Sequence, residues 1–350
     1  LSIRRQRQMC IRDSPYTLLF KERAVTSRNS MTEKPTYIVT IESDELPGGQ
    51  AVGEAALFPG LSAEDSPEYE SVLDAACREA SRCATPAEAM QSLPPVSSVR
   101  FGFESALMRA LARPTANTSR LRWLDGEEGI RINGLIWMGD KVTMRRRIHE
   151  KLKAGFHCVK LKIGGIDFND ELDLLSLIRK EFPPEIIELR LDANGGFTPE
   201  NALDRLEHLS RFGIHSIEQP IKPGQWDSMA RICRESPIPI ALDEELIGFS
   251  SDRQKSELLD AIRPHYIILK PSLCGGFREA EEWISQAVAR GIGWWGTSAL
   301  ESNIGLEALG IWTAGLSPDM PQGLGTGALY VNNFPSPLSL EGERLYYRNT

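Results

Sequence analysis

The feature that most constrains this chain is a repeat of form rather than of sequence. From about Ile130 onward, short apolar runs alternate with amphipathic stretches of helical length. The runs cover 132–138, 158–163, 187–191, 214–218, 238–242, 266–269 and 292–295. The spacing predicts helices over 141–154, 169–182, 199–212, 226–235, 252–262, 278–290 and 304–314. Asp140 is placed to cap the first of these helices, and Thr198 with Pro199 at the first helical position to cap the third. Strands alternating with helices imply a parallel sheet with crossover connections. The strands are apolar throughout, which fits burial on both faces. Eight such units close into a barrel, with the eighth strand expected near 323–327. The rival is a doubly wound open sheet.

The charges favour the barrel. Strand after strand finishes on a charged residue: Lys160-Leu161-Lys162, Asp192-Ala193-Asn194, Glu218-Gln219-Pro220, Asp243-Glu244-Glu245 and Lys270-Pro271. The steps from Lys162 to Asp192, Glu218, Asp243 and Lys270 are 30, 26, 25 and 27 residues, each one strand–helix unit. Equivalent positions on successive barrel strands lie side by side around the C-terminal mouth, where barrel enzymes carry their active sites. Lys160 and Lys162, two apart, project from the same face. Three carboxylates gathered in a confined mouth repel one another unless a cation neutralises them. All-oxygen donors suit a hard ion, Mg²⁺ with Mn²⁺ as a substitute. A single charged residue ending a strand is ordinarily a solvated loop residue, and rim ion-pair networks also occur. Five strands doing so in step favour a site.

The first part of the chain reads differently. Two β-branched and aromatic runs, 16–20 and 36–41, suggest paired strands, and 51–56 a third. Helical spacing follows over 66–83, 86–93 and 97–112. This is a β-then-α unit of domain size. The fold expected is therefore α/β: a modified TIM barrel, (β/α)7β, over 129–328, with an N-terminal α+β capping domain over 15–128. Residues 329–350 are expected to pack back on the capping domain. Residues 1–14, basic and without apolar periodicity, read as a segment foreign to the fold, either a transit peptide or translated upstream sequence.

Composition excludes several classes. The net charge of −8, with no basic block interleaved with aromatics, argues against nucleic acid as a partner. No apolar run reaches membrane-spanning length. Six scattered cysteines form neither a CxxC pair nor a disulfide framework, which fits a cytoplasmic setting.

The ordered set Lys-x-Lys, Asp-x-Asn, Glu-Gln-Pro, Asp-Glu and Lys on successive strands resembles the enolase superfamily, in its muconate-lactonizing-enzyme subgroup. The resemblance runs from about Pro15 to the C-terminus. Within the subgroup, SPYTLLFKERAVTSR, VGEAALFPGLS, INGLIWMG and ILKPSLCGG are most similar to the o-succinylbenzoate synthase family. The resemblance implies that Asp192, Glu218 and Asp243 ligate Mg²⁺ and that Lys162 is the catalytic base. It makes Lys270 the lysine on the opposite face of the substrate and Lys160 a substrate-orienting group. Asn194 and Glu244 take supporting positions behind the ligands.

The activity implied is dehydration of a small carboxylate, 2-succinyl-6-hydroxy-2,4-cyclohexadiene-1-carboxylate, to 2-succinylbenzoate in menaquinone synthesis. Two lysines on opposite faces also suit an N-acylamino-acid racemase or a dipeptide epimerase. Dipeptide epimerases of the subgroup carry Asp-x-Asp at the eighth strand, where this chain reads Gly323-Leu324-Gly325-Thr326-Gly327. A non-catalytic binding barrel is the remaining alternative, set against the presence of every ligand and the base. Among loop residues, Pro59–Leu61 is expected over the mouth. Arg28 is a candidate partner for a substrate carboxylate or a solvated arginine. Ser298, with Thr297, Glu301 and Ser302, is a candidate to bind the succinyl carboxylate, although Ser302 equally suits a helix cap. Trp294-Trp295 reads as core.

Overall fold

The computed structural model describes residues 9–25, 30–137 and 140–348. The first three strands, β1 (Cys10–Val25), β2 (Ser30–Glu42) and β3 (Gln50–Ala55), form an antiparallel sheet in that order. β1 begins five residues before Pro15, so structure starts earlier than the sequence suggested. Cys10 pairs with Glu42, and the side chains of Met9 and Ile11 are buried beneath α1 (Tyr69–Ala80). Apolar burial sets that start, and two apolar side chains among charged ones gave no period to read. α2 (Pro86–Ser92), α3 (Ser97–Ala110) and α4 (Thr118–Leu124) follow. α3 lies so close on β3 that a Cβ on Gly53 would stand 2.0 Å from the Gly102 carbonyl oxygen. α4, absent from the sequence expectation, is short and capped by the Asn117 side chain, which accepts from the Arg120 N–H.

The second sheet is parallel and curled. After β4 (Ile130–Arg131) its strands are β5 (Gly134–Ile136), β6 (Cys158–Lys162), β7 (Glu188–Asp192), β8 (Ile214–Glu218), β9 (Ile240–Leu242), β10 (Tyr266–Leu269) and β11 (Gly293–Gly296), in sequence order. The helices between and after them are α5 (Lys141–Lys153), α6 (Phe168–Glu181), α7 (Ala202–Ser210), α8 (Trp226–Glu235), α9 (Asp252–Ile262), α10 (Phe277–Val288) and α11 (Asn303–Leu316). Asp140 caps α5 as expected, accepting from the Thr143 N–H at 2.8 Å. Thr198 does not cap α7: the turn it opens runs on to Asn201, and the helix begins at Ala202.

The barrel closes without a regular eighth strand. Gln322 pairs with Ile132 on one side, and Gly323 with Thr297 on the other. The Asn133 N–H donates to the Gln322 carbonyl at 2.9 Å, and the Gly323 N–H to the Gly296 carbonyl at 2.8 Å. The join lies at the front edge of the expected 323–327 segment. Glycine is required there, because a Cβ on Gly323 would meet Thr297 Oγ1 at 2.4 Å.

Residues after the closure return to the first part of the chain. The main chains of Leu329 and Val331 bond to Lys21 and Leu19. The last strands, β12 (Leu338–Glu341) and β13 (Arg344–Tyr347), form an antiparallel sheet with β4. Trp123 of α4 donates its indole N–H to the Leu345 carbonyl at 2.9 Å. One apolar core fills the space between barrel strands and helices, and a second lies between the first sheet and α1–α3. Trp295 is buried inside the barrel and Trp294 packs against the outer core, as expected of core residues. Among the described residues, no helix is long and apolar enough to cross a membrane.

The two parts are joined by carboxylates of the first part that cap helices of the second. Glu104 of α3 accepts from the Phe277 N–H and so caps α10. Glu54 of β3 does the same for α11: it accepts from the Ser302 N–H (3.0 Å), the Ser302 hydroxyl (2.6 Å) and the Gly305 N–H (3.0 Å). A carboxylate at a helix N-terminus meets free N–H groups and the positive end of the dipole.

Candidate active site

The inward residues of β6, β7 and β8 fall into register at the C-terminal ends. Lys162 pairs with Asp192, and Asp192 with Glu218; one layer down, Lys160 pairs with Arg190. Asp243 directly follows β9 and Lys270 directly follows β10. Carboxylate oxygens of Asp192, Glu218 and Asp243 lie within 4.8 Å of one another, and all three residues are buried. The sequence reading expected this convergence, because equivalent positions on successive barrel strands lie side by side around the mouth.

The lysines interleave with the acids. Lys160 Nζ lies 3.0 Å from Asp192 Oδ2 and donates also to Glu218. Lys162 Nζ donates to Asp192 Oδ2 at 2.8 Å and to Asn194 Oδ1 at 2.7 Å. Lys270 pairs with Asp243. Burial opposes the charge on each of them, and the neighbours decide the outcome. For Lys160, Asp192, Glu218 and Asp243 outweigh burial and hold the ammonium above its ordinary range. Lys270 is likewise held up by Asp243 and Glu244. For Lys162 burial prevails, aided by the nearby Lys160 and Lys270 charges, and its affinity for a proton falls. Asp192 is held low despite burial by Lys160, Lys162 and Lys270. Glu218 is pushed up, by burial and then by Asp192 and Asp243 against the pull of Lys160.

The donor set fits a divalent cation. Glu218 Oε1 is buried with no hydrogen-bond partner among the described residues, and carboxylate oxygens of Asp192 and Asp243 converge beside that of Glu218. An unsatisfied buried carboxylate oxygen is costly unless a cation or donor completes it.

The supporting residues take up strained backbone. Asn194 and Gln219 have φ of 44° and 39°, in the left-handed region where side chains other than glycine are uncommon. Asn194 is held there by its N–H on Asp192 Oδ1 (3.0 Å) and its amide on Glu244 Oε1 (3.0 Å). Gln219 accepts the N–H groups of Asp243 and Glu245, each at 3.2 Å, and donates to Glu245 Oε2 at 3.0 Å. Gln219 thus orients Asp243, a role the sequence reading did not assign although it quoted the Glu-Gln-Pro motif.

A cavity opens over Lys160, Lys162, Asp192, Asn194 and Lys270. Phe58, Leu61, Leu135, Trp137, Ala299 and Leu300 give it apolar walls, and the loop at Pro59–Leu61 reaches its rim as expected. The Trp137 ring centroid is 5.8 Å from Lys162 Nζ. Trp137 escaped the sequence reading because an aromatic in an apolar run looks like core. Ser298 lines the cavity, but its hydroxyl is fully engaged. It donates to Glu301 Oε2 (2.6 Å) and accepts from the Thr326 hydroxyl (2.8 Å) and the Leu300 N–H (3.1 Å). The hydroxyl therefore braces the wall in this arrangement. Ser302 caps α11, accepting from the Ile304 N–H at 3.2 Å. Arg28 lies outside the described residues.

Residues 143–327 match the family described as enolase C-terminal domain-like. The o-succinylbenzoate synthase of Desulfotalea psychrophila is 46% identical, over 93% of this chain and 95% of its own length. The crystal structure of MenC from the same organism superposes with a TM-score of 0.83 at 41% identity, covering 97% of this chain and 99% of that one. The muconate lactonizing enzyme of Pseudomonas fluorescens, solved with muconolactone, superposes with a TM-score of 0.83 at 22% identity, covering 97% of this chain and 94% of that one, and attests the fold alone.

Proposed function

The chain belongs to the enolase superfamily, and from that membership we propose that it is an o-succinylbenzoate synthase, a lyase that removes water from 2-succinyl-6-hydroxy-2,4-cyclohexadiene-1-carboxylate in menaquinone biosynthesis. The observation that carries the reading is the 46% identity to a synthase over nearly the whole of both chains. The relatives that bear epimerase names match at 25–30% identity.

In this reading Asp192, Glu218 and Asp243 hold Mg²⁺, or Mn²⁺ in its place. When bound, such an ion supplies positive charge against the substrate carboxylate and the second negative charge that develops on it. Lys162 takes the proton from the carbon beside that carboxylate. Its burial and the neighbouring ammonium groups favour the neutral amine a base needs, against an ordinary lysine pKa of about 10.4. The electron pair left behind moves into the carboxylate as an enediolate. Lys162, now protonated, gives the proton to the departing hydroxyl on the same face, so water leaves and the ring becomes aromatic. Lys270 stays charged, paired with Asp243, and faces the ring from the other side. Lys160 remains an ammonium throughout and helps orient the substrate carboxylate. Asn194 and Glu244 brace Lys162 and Asp192 through their shared hydrogen bonds. The apolar walls exclude water and accept the flat ring.

The pair Lys162 and Lys270 also fits a racemase acting on N-acylamino acids. Gly323, Gly325 and Thr326 line the cavity where an epimerase would present acids to an ammonium. Six free cysteines fit a cytoplasmic setting. The test is ultraviolet monitoring of the diene with protein and Mg²⁺, beside Lys162→Ala and an EDTA control. Metal-dependent loss of diene absorbance that the variant lacks is expected. No turnover by the folded, metal-loaded wild-type protein would reject the synthase.

A further inference from the structure

Among the described residues, five other than glycine have positive φ: Asn194, Gln219, Arg263, Leu300 and Ser317. Arg263 and Ser317 end α9 and α11, a position where left-handed backbone is common. Asn194 and Gln219 hold the metal-binding strand ends. Leu300, at φ 63°, belongs to neither group. It sits between β11 and α11, lines the cavity, and has a large side chain that the left-handed region disfavours.

A built brace keeps it there. The Leu300 N–H donates to Ser298 Oγ at 3.1 Å, and its carbonyl accepts from the Tyr330 hydroxyl at 2.6 Å. Ser298 Oγ in turn donates to Glu301 Oε2, and the other Glu301 oxygen accepts from the Ser272 hydroxyl at 2.6 Å. Ser272, Ser298, Glu301 and Tyr330 are all buried. The brace aims the Leu300 side chain among Leu18, Phe58 and Tyr330, in the cluster that roofs the cavity.

We propose that Leu300, fixed in a left-handed conformation by the Ser298–Glu301 brace, is a specificity-determining residue that shapes the apolar wall against which the substrate ring lies. This rests on the synthase reading. Ser298, Glu301 and Tyr330 are positioning residues that act through it.

The experiment compares wild type with Leu300→Ala, Leu300→Gly and Glu301→Gln, in melting temperature and in KM and kcat for the cyclohexadiene carboxylate with Mg²⁺. Both Leu300 truncations should raise KM by about tenfold or more, the scale of a lost apolar contact in a pocket, with kcat far less affected. Glu301→Gln should move KM in the same direction. Glycine is ordinarily less stabilising than alanine, but here Leu300→Gly should melt above Leu300→Ala, because only glycine relieves the backbone. Glu301→Gln, which leaves the Leu300 side chain whole and loosens only its brace, carries the KM comparison if the truncations fail to fold. Unchanged KM in the Leu300 variants, or Leu300→Ala the more stable of the truncations, overturns the proposal. Absence of wild-type turnover rejects the synthase reading instead. Binding of 2-succinylbenzoate, read by tryptophan fluorescence, then carries the same comparison, and a wild type that binds none of it removes both.

Discussion

Lys160 and Lys162 stand two residues apart on β6 and both reach Asp192, yet their surroundings drive them in opposite directions. Lys160 faces three carboxylates and keeps its proton more firmly than a free lysine. Lys162 is buried with two other ammonium groups nearby and keeps its proton less firmly. Two lysines of one strand, sharing one carboxylate, are thus set apart in their hold on a proton.

Replacing Lys162 with alanine should therefore lower kcat by roughly 10²–10⁴, the scale of a lost general base. The melting temperature should hold or rise, since a buried amine with a depressed pKa contributes little to folding. Diene absorbance and thermal melts measure the two effects. A variant retaining a tenth of the activity would place the base elsewhere.

Divalent metal should stabilise the fold as well as support turnover. A ligand bound only by the native state adds about 2.7 kcal/mol at a hundredfold excess over Kd. Mg²⁺ is expected to raise the melting temperature and EDTA to reverse it. Glu218→Gln should abolish the rise. A melting temperature indifferent to Mg²⁺ in wild type would count against the carboxylate triad.

Glu54→Ala should cost about 3–5 kcal/mol, the scale of breaking a buried charge network. It strips the N-terminus of α11 of its acceptor and leaves the buried Lys34 with one neighbouring carboxylate fewer. Denaturant midpoints measure the loss, and an unchanged midpoint would mean that Ser302 alone suffices as the cap.

Gly53→Ala should destabilise by about 1–3 kcal/mol or more, the range for overpacking. The added methyl would collide with the backbone of α3, which cannot give way as a side-chain tip could. A melt within experimental error of wild type would contradict the tight approach of α3 to β3.

Glu104 should make stability fall as pH rises from 4.5 to 7. Burial lifts its folded pKa to about 7 from an ordinary 4.5, against the pull of the Phe277 and Arg278 N–H groups. In that window the folded state binds more protons than the unfolded state, so stability declines with increasing pH. The decline should reach about 2 kcal/mol after allowance for partial exposure, and vanish in Glu104→Gln. Urea denaturation at the two pH values decides it.

The barrel and its charged mouth were legible because they are written in periods. Five successive strands finish on charged residues, and each unit returns after 25–30 residues. What joins the two parts of the molecule was not legible. Glu54 reads as an ordinary acid on a strand, and its partner Ser302 lies 248 residues away. The left-handed backbone at Leu300 has no sequence mark, since it is imposed by Ser298, Glu301 and Tyr330 rather than by leucine. The strand at Cys10 and the short helix α4 were missed because their order comes from Met9, Ile11 and Trp123 docking into cores built elsewhere.

The seam of the barrel divides its duties by atom type. Asn133, Gly296, Ser298, Gln322 and Gly323 close the ring with main-chain groups, at 2.8–3.0 Å. Asn133 and Ser298, together with Thr297, also border the cavity. Asn133 joins through its main-chain N–H, so its side chain can change without unfastening the barrel, whereas Gly323 leaves no room for a Cβ and the Gln322 side chain accepts from the Gly296 N–H. A lineage carrying this fold can therefore explore new substrates at the seam by drift, one side chain at a time, while the scaffold stays intact.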